Sequence, residues 1–219
     1  EFYSIYDGTK YYLPTVCLIK IMVLYLNTPH IMAKPKLDRK TLLKNSLSVF
    51  KSRGYHGTSV NDLAAANGLL KGSIYHYFDS KKSLMLEVLI ALKEHYVAKV
   101  FAKSYDEQLP PYERLRELAV RAEEIFTFEE TGDFFVNIGL ETMNTNPEFL
   151  AVIKEFFRDW IGSLQDLYLH VLGREEALMQ AERVVAELEG SVIMMKLLGD
   201  VGYLKRTSTR VLNEYKELE

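Results

Sequence analysis

Cysteine is almost absent from this chain of 219 residues. The single thiol, Cys17, excludes a disulfide within the chain and supports no cysteine metal site. We therefore expect a reducing, cytoplasmic compartment. Long apolar runs are also scarce, because the stretch 13–26 (LPTVCLIKIMVLYL) is interrupted by Lys20 and is shorter than the roughly 20 residues that a spanning helix needs. It also lacks the basic start and the small-residue cleavage site of a signal peptide, so no membrane partner is expected.

The residue patterns that usually carry catalysis are missing as well. None of the five histidines lies in an HExxH or other metal-ligand spacing, and no Glu-x-x-His pair of a di-iron bundle occurs. There is no glycine-rich phosphate loop. The adjacent carboxylates at 123–124 and 129–130 have no histidine partner and are typical of a solvated face. The sequence therefore predicts a protein that is not an enzyme and has no metal site and no cofactor.

Helix signals recur after residue 32, where strand alternation is nearly absent. Asp38 is a candidate N-cap of a first helix, and Ser59 opens a second with an acid three residues later. A third, short helix is expected from about Lys71 to Phe78, with Ile74 and Phe78 facing inward. About six longer helices follow, one of them capped by Asn146. The predicted fold class is all-α, with a three-helix head and a larger helical body.

The net charge changes sign at the residue where the short predicted helices end. Residues 32–82 carry ten lysines and arginines against three aspartates, a net charge of +7, whereas residues 83–219 have a net charge of −10. A basic segment beside an acidic body is typical of a nucleic-acid-binding head, although a chance cluster on a solvated face remains the alternative. We predict a DNA-binding domain at 32–82 and a separate helical body at 83–219. Residues 1–31 resemble neither, and we interpret them as vector-derived or read-through sequence because MAKPK at 32–36 is typical of a natural start.

The segment 59–78 has the helix, tight glycine turn and short helix of a helix-turn-helix motif. If Ile74 and Phe78 face the core, polar side chains of the second helix face outward and suit a DNA major groove and its phosphates. Lys81 and Lys82 would oppose the dipole of the next helix, unless a phosphate shared that helix end with them. For each residue alone, a solvated surface or, for the tyrosines, half-buried packing is the alternative.

The stretch 50–84 (FKSRGYHGTSVNDLAAANGLLKGSIYHYFDSKKSL) resembles the N-terminal domain of the TetR family of bacterial transcriptional regulators, and the likeness covers about 37–92. The resemblance implies a homodimer that binds double-stranded DNA at a near-palindromic operator. It also implies that the body at 83–219 is a helical ligand-binding and dimerisation domain, which often holds a small-molecule inducer in this family. It places these residues at the DNA: Thr58, Ser59, Lys71, Ser73, Tyr75, His76, Tyr77 and Lys81. One departure is Leu70, which stands where the family often has Ser or Thr, at a cost of about 1 kcal/mol for the missing cap.

The body has a heavy aromatic content that predicts either a ligand pocket with polar anchors or an ordinary core. The candidate pocket residues are Phe126, Phe134, Asn137, Glu141, Phe156, Trp160 and Gln165. Small and apolar residues late in the chain are candidates for a dimer interface, with packing inside one chain as the alternative. They are Ala186, Gly190, Ser191 and Met194.

We therefore predict a homodimeric repressor that a small hydrophobic or aromatic ligand releases from its operator. Two alternatives remain from sequence. One is a helical small-molecule-binding or metabolic protein whose basic head contacts other proteins. The other is a constitutive DNA binder without an inducer.

Overall fold

The computed structural model describes residues 4–6, 9–11, 37–129 and 133–219. Near the N-terminus, strands β1 (Ser4–Tyr6) and β2 (Thr9–Tyr11) form an antiparallel pair in which Ile5 lies opposite Lys10. The remainder of the segment 1–31, including Cys17, lies outside the described residues, and its interpretation as vector-derived sequence stays a prediction.

From residue 37 onward every described element is helical, which confirms the all-α prediction for this part of the chain. The first four α-helices are α1 (Arg39–Arg53), α2 (Val60–Ala66), α3 (Lys71–Ile74) and α4 (Lys81–Lys99). A 3₁₀ turn (Phe101–Tyr105) and α5 (Pro111–Glu124) follow, and α5 continues into a π-helical turn (Ile125–Glu129). The last helices are α6 (Phe134–Thr142), α7 (Pro147–Tyr168), α8 (Arg174–Leu198) and α9 (Gly202–Leu218). None of these helices is long and apolar enough to cross a bilayer.

Local capping explains where the first helices begin and end. The Asp38 carboxylate accepts the Thr41 N–H at 2.9 Å, so the predicted cap of α1 is confirmed. Gly54 ends α1 with φ 69°, a left-handed value that glycine adopts without strain. Ser59 and Asp62 form the expected reciprocal capping box of α2. Gly68, with φ 61°, makes the tight turn that leads toward α3.

Helix α3 is shorter than predicted, because only Lys71–Ile74 is α-helical and residues 75–77 continue as a hydrogen-bonded turn. Its N-cap is Leu70, whose extended backbone fits a cap while its side chain accepts no hydrogen bond. Ile74 and Phe78 are buried, as expected, with exposed fractions of 1% and 3%. Burial of Ile74 and Phe78, rather than a long run of helical hydrogen bonds, therefore holds this segment in place.

The body is built around α7, which packs against α4, α6 and α8, while α9 packs on α8 and α5. Aromatic rings fill its centre, where Phe135 stacks on Phe156 with centroids 4.0 Å apart. The prediction that Asn146 caps α7 is right in position and wrong in mechanism. Its side-chain amide donates to the Thr145 hydroxyl at 2.9 Å and makes no capping bond. The proline at 147 occupies the first turn instead, where no intrahelical N–H is required.

Helix α4 belongs to both parts of the molecule. It packs against α1 of the head, and it also packs against α7 and the 3₁₀ turn of the body. Leu84, Met85 and Leu89 are fully buried along it. Helix α4 therefore connects the head to the body as one continuous helix.

Candidate nucleic-acid interface

The outer side of α3 and the turn after it present hydrogen-bonding groups to solvent. Lys71 and His76 are exposed, and Tyr75 is 49% exposed. Ser73 and Tyr77 are half-buried beside them. The Lys71 ammonium has no ion-pair partner among the described residues, so this cation is free to meet an anion. The five side chains that the sequence predicts at the DNA thus lie on α3 and the turn after it, and three of them are exposed.

Arg39 of α1 holds the end of this segment. Its guanidinium lies 4.5 Å from the centroid of the Phe78 ring, donates to the Tyr77 carbonyl at 3.2 Å and pairs with Glu87 of α4. A planar guanidinium can stack on a ring and donate sideways at the same time. No sequence pattern indicates this role, because Arg39 is simply one of several basic residues at the start of α1.

Thr58 and Ser59, two further predicted contacts, use their hydroxyls inside the protein. Thr58 is 2% exposed, and its hydroxyl donates to the Gly54 carbonyl at 2.6 Å. The Ser59 hydroxyl caps α2 and bonds the Asp62 carboxylate at 2.7 Å, which lowers the pKa of that carboxyl. Ser59 remains exposed at the surface. These two residues build the start of α2, and only Ser59 is accessible to a phosphate.

Lys81 and Lys82 both have internal partners. The Lys81 ammonium donates to the carbonyls of Tyr55 and Thr58, each at 2.8 Å, and lies 4.3 Å from the centroid of the Tyr55 ring. Lys82 pairs with Glu148 at 2.7 Å, and this hydrogen bond lowers the pKa of Glu148. The cost of two cations at a helix N-terminus is thus offset by carbonyl and carboxylate oxygens. The Ser83 N–H of this first turn donates to the Ser80 hydroxyl at 3.0 Å, so an anion at this end of α4 would meet the backbone N–H groups of the two lysines.

The seven candidate pocket residues do not come together. Phe126, Phe156 and Trp160 line an apolar cavity of about 20 Å³, which has room for little more than one water molecule. Phe134 and Asn137 line a separate, more open cleft of about 470 Å³ beside α1. Gln165 is half-buried on α7 and lines neither cavity. The remaining residue, Glu141, accepts hydrogen bonds from backbone N–H groups of the head.

The four candidate dimer residues divide between two sides of α8. Ala186 and Gly190 are exposed, and Met194 is 41% exposed. Ser191 is buried, and its hydroxyl donates to the Leu188 carbonyl at 2.8 Å. Other apolar side chains extend the exposed side of α8 and were missed by the sequence reasoning. They are Met179 (62% exposed), Ile193 (44%) and Leu197 (76%).

Comparison with known proteins agrees with this geometry. Residues 42–88, which span α1 to α4, match the family model described as bacterial regulatory proteins, tetR family. The HTH-type transcriptional repressor DhaR of Mycobacterium sp. (strain GP1) is 25% identical over 167 residues, which is 73% of this chain and 82% of that protein. The HTH-type transcriptional repressor KstR2 of Rhodococcus jostii (strain RHA1) is 47% identical over 55 residues, 25% of this chain and 27% of that protein.

The fold is shared with solved structures as well. The crystal structure of a TetR transcriptional regulator from Legionella pneumophila superposes with a TM-score of 0.71 at 20% identity, over 80% of this chain and 96% of that one. The likeness therefore includes the helical body, where sequence similarity is weak. With the helix-turn-helix in place from α2 to α3, residues 42–88 match the N-terminal domain of the TetR family of bacterial transcriptional regulators, and the chain shares its fold with solved structures of that family.

Proposed function

We propose that this protein is a homodimeric repressor that binds a near-palindromic operator and is released by a small hydrophobic or aromatic ligand. One observation carries the DNA-binding part of this proposal. The exposed side of α3 and of the turn after it presents Lys71, Tyr75 and His76 on a segment that Ile74 and Phe78 anchor in the core. A polar segment anchored in this way suits the major groove, where the donors and acceptors of each base pair form a distinct pattern.

The dimer is supported by the exposed apolar side of α8. Met179, Ile193 and Leu197 lie along one helix that is otherwise well packed against α7 and α9. Apolar side chains of this size are costly to leave in water when they form a continuous patch. A second copy of the chain would cover them and would place two α3 segments for successive major grooves, about 34–36 Å apart.

The ligand is supported by the aromatic residues around the small internal cavity, which would favour a planar or apolar molecule. The cavity must expand to admit one, since ligand pockets usually measure about 300–1,000 Å³. The closed state of about 20 Å³ equally favours a second candidate function, a constitutive DNA binder without an inducer. A ligand that binds only the expanded state would shift the population toward it and could release DNA in that way.

Fluorescence anisotropy tests DNA binding with a duplex selected from a random library by the protein itself. We expect binding that weakens as salt rises, and a smaller salt slope for Lys71→Ala, because one phosphate contact changes the slope by about one. Lys205→Ala is the matched control, since Lys205 is an exposed lysine of α9 remote in sequence from the head. Binding that does not depend on salt, or a Lys71→Ala variant indistinguishable from wild type, would contradict the electrostatic account.

Release by a ligand is tested separately with a panel of planar apolar compounds added to the protein–duplex complex. Loss of anisotropy together with quenching of Trp160, the chain's single tryptophan, supports the inducible repressor. Duplex binding that no compound changes, with an undisturbed tryptophan signal, supports the constitutive binder.

The dimer is tested by sedimentation of the free protein, which measures its mass in solution. Leu197→Glu places a charge on the exposed apolar side of α8 and is expected to dissociate the dimer.

A further inference from the structure

The turn between α1 and α2, residues 54–58, is held by a carboxylate from the body. The backbone N–H of Tyr55 donates to Glu141 Oε2 at 2.8 Å, and that of His56 donates to Oε1 at 2.6 Å. Glu141 lies in the last turn of α6. Both oxygens of one carboxylate thus bind two consecutive amides, an arrangement that fixes direction as well as distance.

Gly54 allows the carboxylate to come this close. A Cβ at position 54 would lie 2.7 Å from Glu141 Oε2, which is inside van der Waals contact. The backbone of Gly54 also has φ 69°, which side chains rarely adopt. The glycine that ends α1 therefore serves the contact with Glu141 as well as the helix terminus.

Other contacts to the same turn converge from the α6–α7 corner and from α4. The ring of Tyr55 packs edge-on against Phe149 of α7, with centroids 5.1 Å apart. Lys81 of α4 donates to the carbonyls of Tyr55 and Thr58, so the turn is bonded through its amides on one side and its carbonyls on the other. Lys82 and Glu148 form an exposed ion pair beside them.

This turn leads directly into the cap of α2 at Ser59, and α2 packs on α3. A displacement of the turn is therefore a displacement of the helix-turn-helix. Hydrogen bonds of 2.6–2.8 Å are lost when the partners separate by about 1 Å. Because α6 is part of the body, a shift of this helix would lengthen or break the two hydrogen bonds between Glu141 and the turn of the head.

We infer that Glu141 is the positioning residue that sets the orientation of the helix-turn-helix relative to the body. The inference rests on the proposed function, because its consequence is the spacing of two heads on one operator. Glu141 touches no DNA in this scheme. It determines whether the two α3 segments of a dimer can enter both half-sites together, and it leaves the affinity of one head for one half-site unchanged.

The test compares Glu141→Gln and Glu141→Ala with wild type in the full-length chain. Glutamine keeps one acceptor oxygen and places an amide NH₂ against the second N–H, whereas alanine removes both acceptors. Glu155→Gln is the matched control, since Glu155 of α7 forms an exposed ion pair with Lys93 and does not touch the turn. Two quantities are measured: hydrogen exchange of the Tyr55 and His56 amides, and the ratio of full-operator to half-site affinity.

We expect faster exchange at these two amides without faster exchange in the core of α7. The full-to-half-site ratio should fall roughly tenfold for Glu141→Ala, the size of a typical coupling between sites, and less for Glu141→Gln. A role confined to stability would lower both affinities together and would speed exchange throughout the chain. An unchanged or increased ratio in a variant whose two amides exchange faster would overturn the role of Glu141.

Gly54→Ala supplies a second, independent measurement. In the wild-type background it brings both backbone strain and contact with Glu141, whereas in the Glu141→Ala background only the strain remains. The two substitutions should therefore be non-additive in the affinity ratio, and strict additivity would overturn the inference. If the wild-type chain selects no duplex at all, the proposed function fails and takes this role with it. Wild-type binding with an unaltered ratio rejects the role of Glu141 alone.

Discussion

Glu189 makes the stability of this protein depend on pH in an unusual direction. Both carboxylate oxygens of this α8 residue are buried and accept no hydrogen bond. Burial raises its pKa to about 8, the nearby Asp133 carboxylate adds to the increase, and Lys196 opposes it. Lys196 is paired with Asp133 at 2.6 Å, so its charge is already shared with another acid. The native chain therefore keeps a proton on Glu189 at neutral pH.

The direction of this pH dependence follows from the proton that Glu189 loses on unfolding. Between the ordinary value of 4.5 and the native value of about 8, the unfolded chain has an ionised Glu189 while the folded chain holds its proton. Unfolding then releases a proton, so the free energy of unfolding falls as pH rises through this window. The slope is about 1.4 kcal/mol per pH unit, so the window from 4.5 to about 8 sets an upper bound of about 5 kcal/mol, which water entry into the site lowers.

Urea unfolding at intervals from pH 5 to pH 9 measures this contribution as the difference between wild type and Glu189→Gln. The glutamine does not titrate, so subtraction removes the other ionisable groups that both proteins share. We expect the variant to gain stability relative to wild type as pH rises, and the gain to level off above about pH 8. Glu187→Gln, on the same helix at an ion pair with Arg210, is the control. A difference that stays constant across the whole range would refute the buried, protonated state.

Three further substitutions have definite expected outcomes. Leu70→Ser supplies the missing cap of α3 and should tighten binding to selected and unrelated duplexes alike, by up to about 1 kcal/mol in anisotropy titrations. Leu70→Ala is its control, because it removes the exposed apolar side chain without adding a cap, and a changed base preference would contradict the helix start placed here. Phe156→Ala should lower the free energy of unfolding by about 3–5 kcal/mol in urea titrations, since its ring is buried among other aromatic rings; a loss below about 1 kcal/mol would contradict the tight core. Lys82→Ala should change stability by less than about 1 kcal/mol, because its pair with Glu148 is exposed, and a larger loss would show that this pair matters more than its exposure suggests.

Sequence reasoning performed best where local chemistry decides the structure. Asp38, Ser59 and Gly68 mark helix ends through their own hydrogen bonds or backbone freedom, and the structure places those ends where they were predicted. Ile74 and Phe78 were recognised as buried because two apolar residues at helical spacing have one common side. The helical fold and its family signature were predictable for the same reasons.

Long-range partners were not predictable, because they depend on how helices meet. The sequence placed Lys81 against a phosphate, and the fold brings its ammonium to two carbonyls of the preceding turn. Glu141 was a candidate ligand anchor because it lies among aromatic residues, yet α6 directs it toward amides 85 and 86 residues earlier in the chain. Aromatic composition likewise predicts a pocket and a packed core equally well. Only the distances between rings distinguish the two.

The brevity of α3 has a consequence for the genome that the protein would regulate. The four residues of α3 cover about 6 Å along the helix axis, and a base pair occupies about 3.4 Å, so α3 itself spans about two base pairs. A base sequence that short recurs very often by chance in bacterial DNA. In the proposed dimer, discrimination would come from two half-sites at a fixed separation. Mutations that alter the distance between the half-sites should then silence an operator more completely than mutations of any single base.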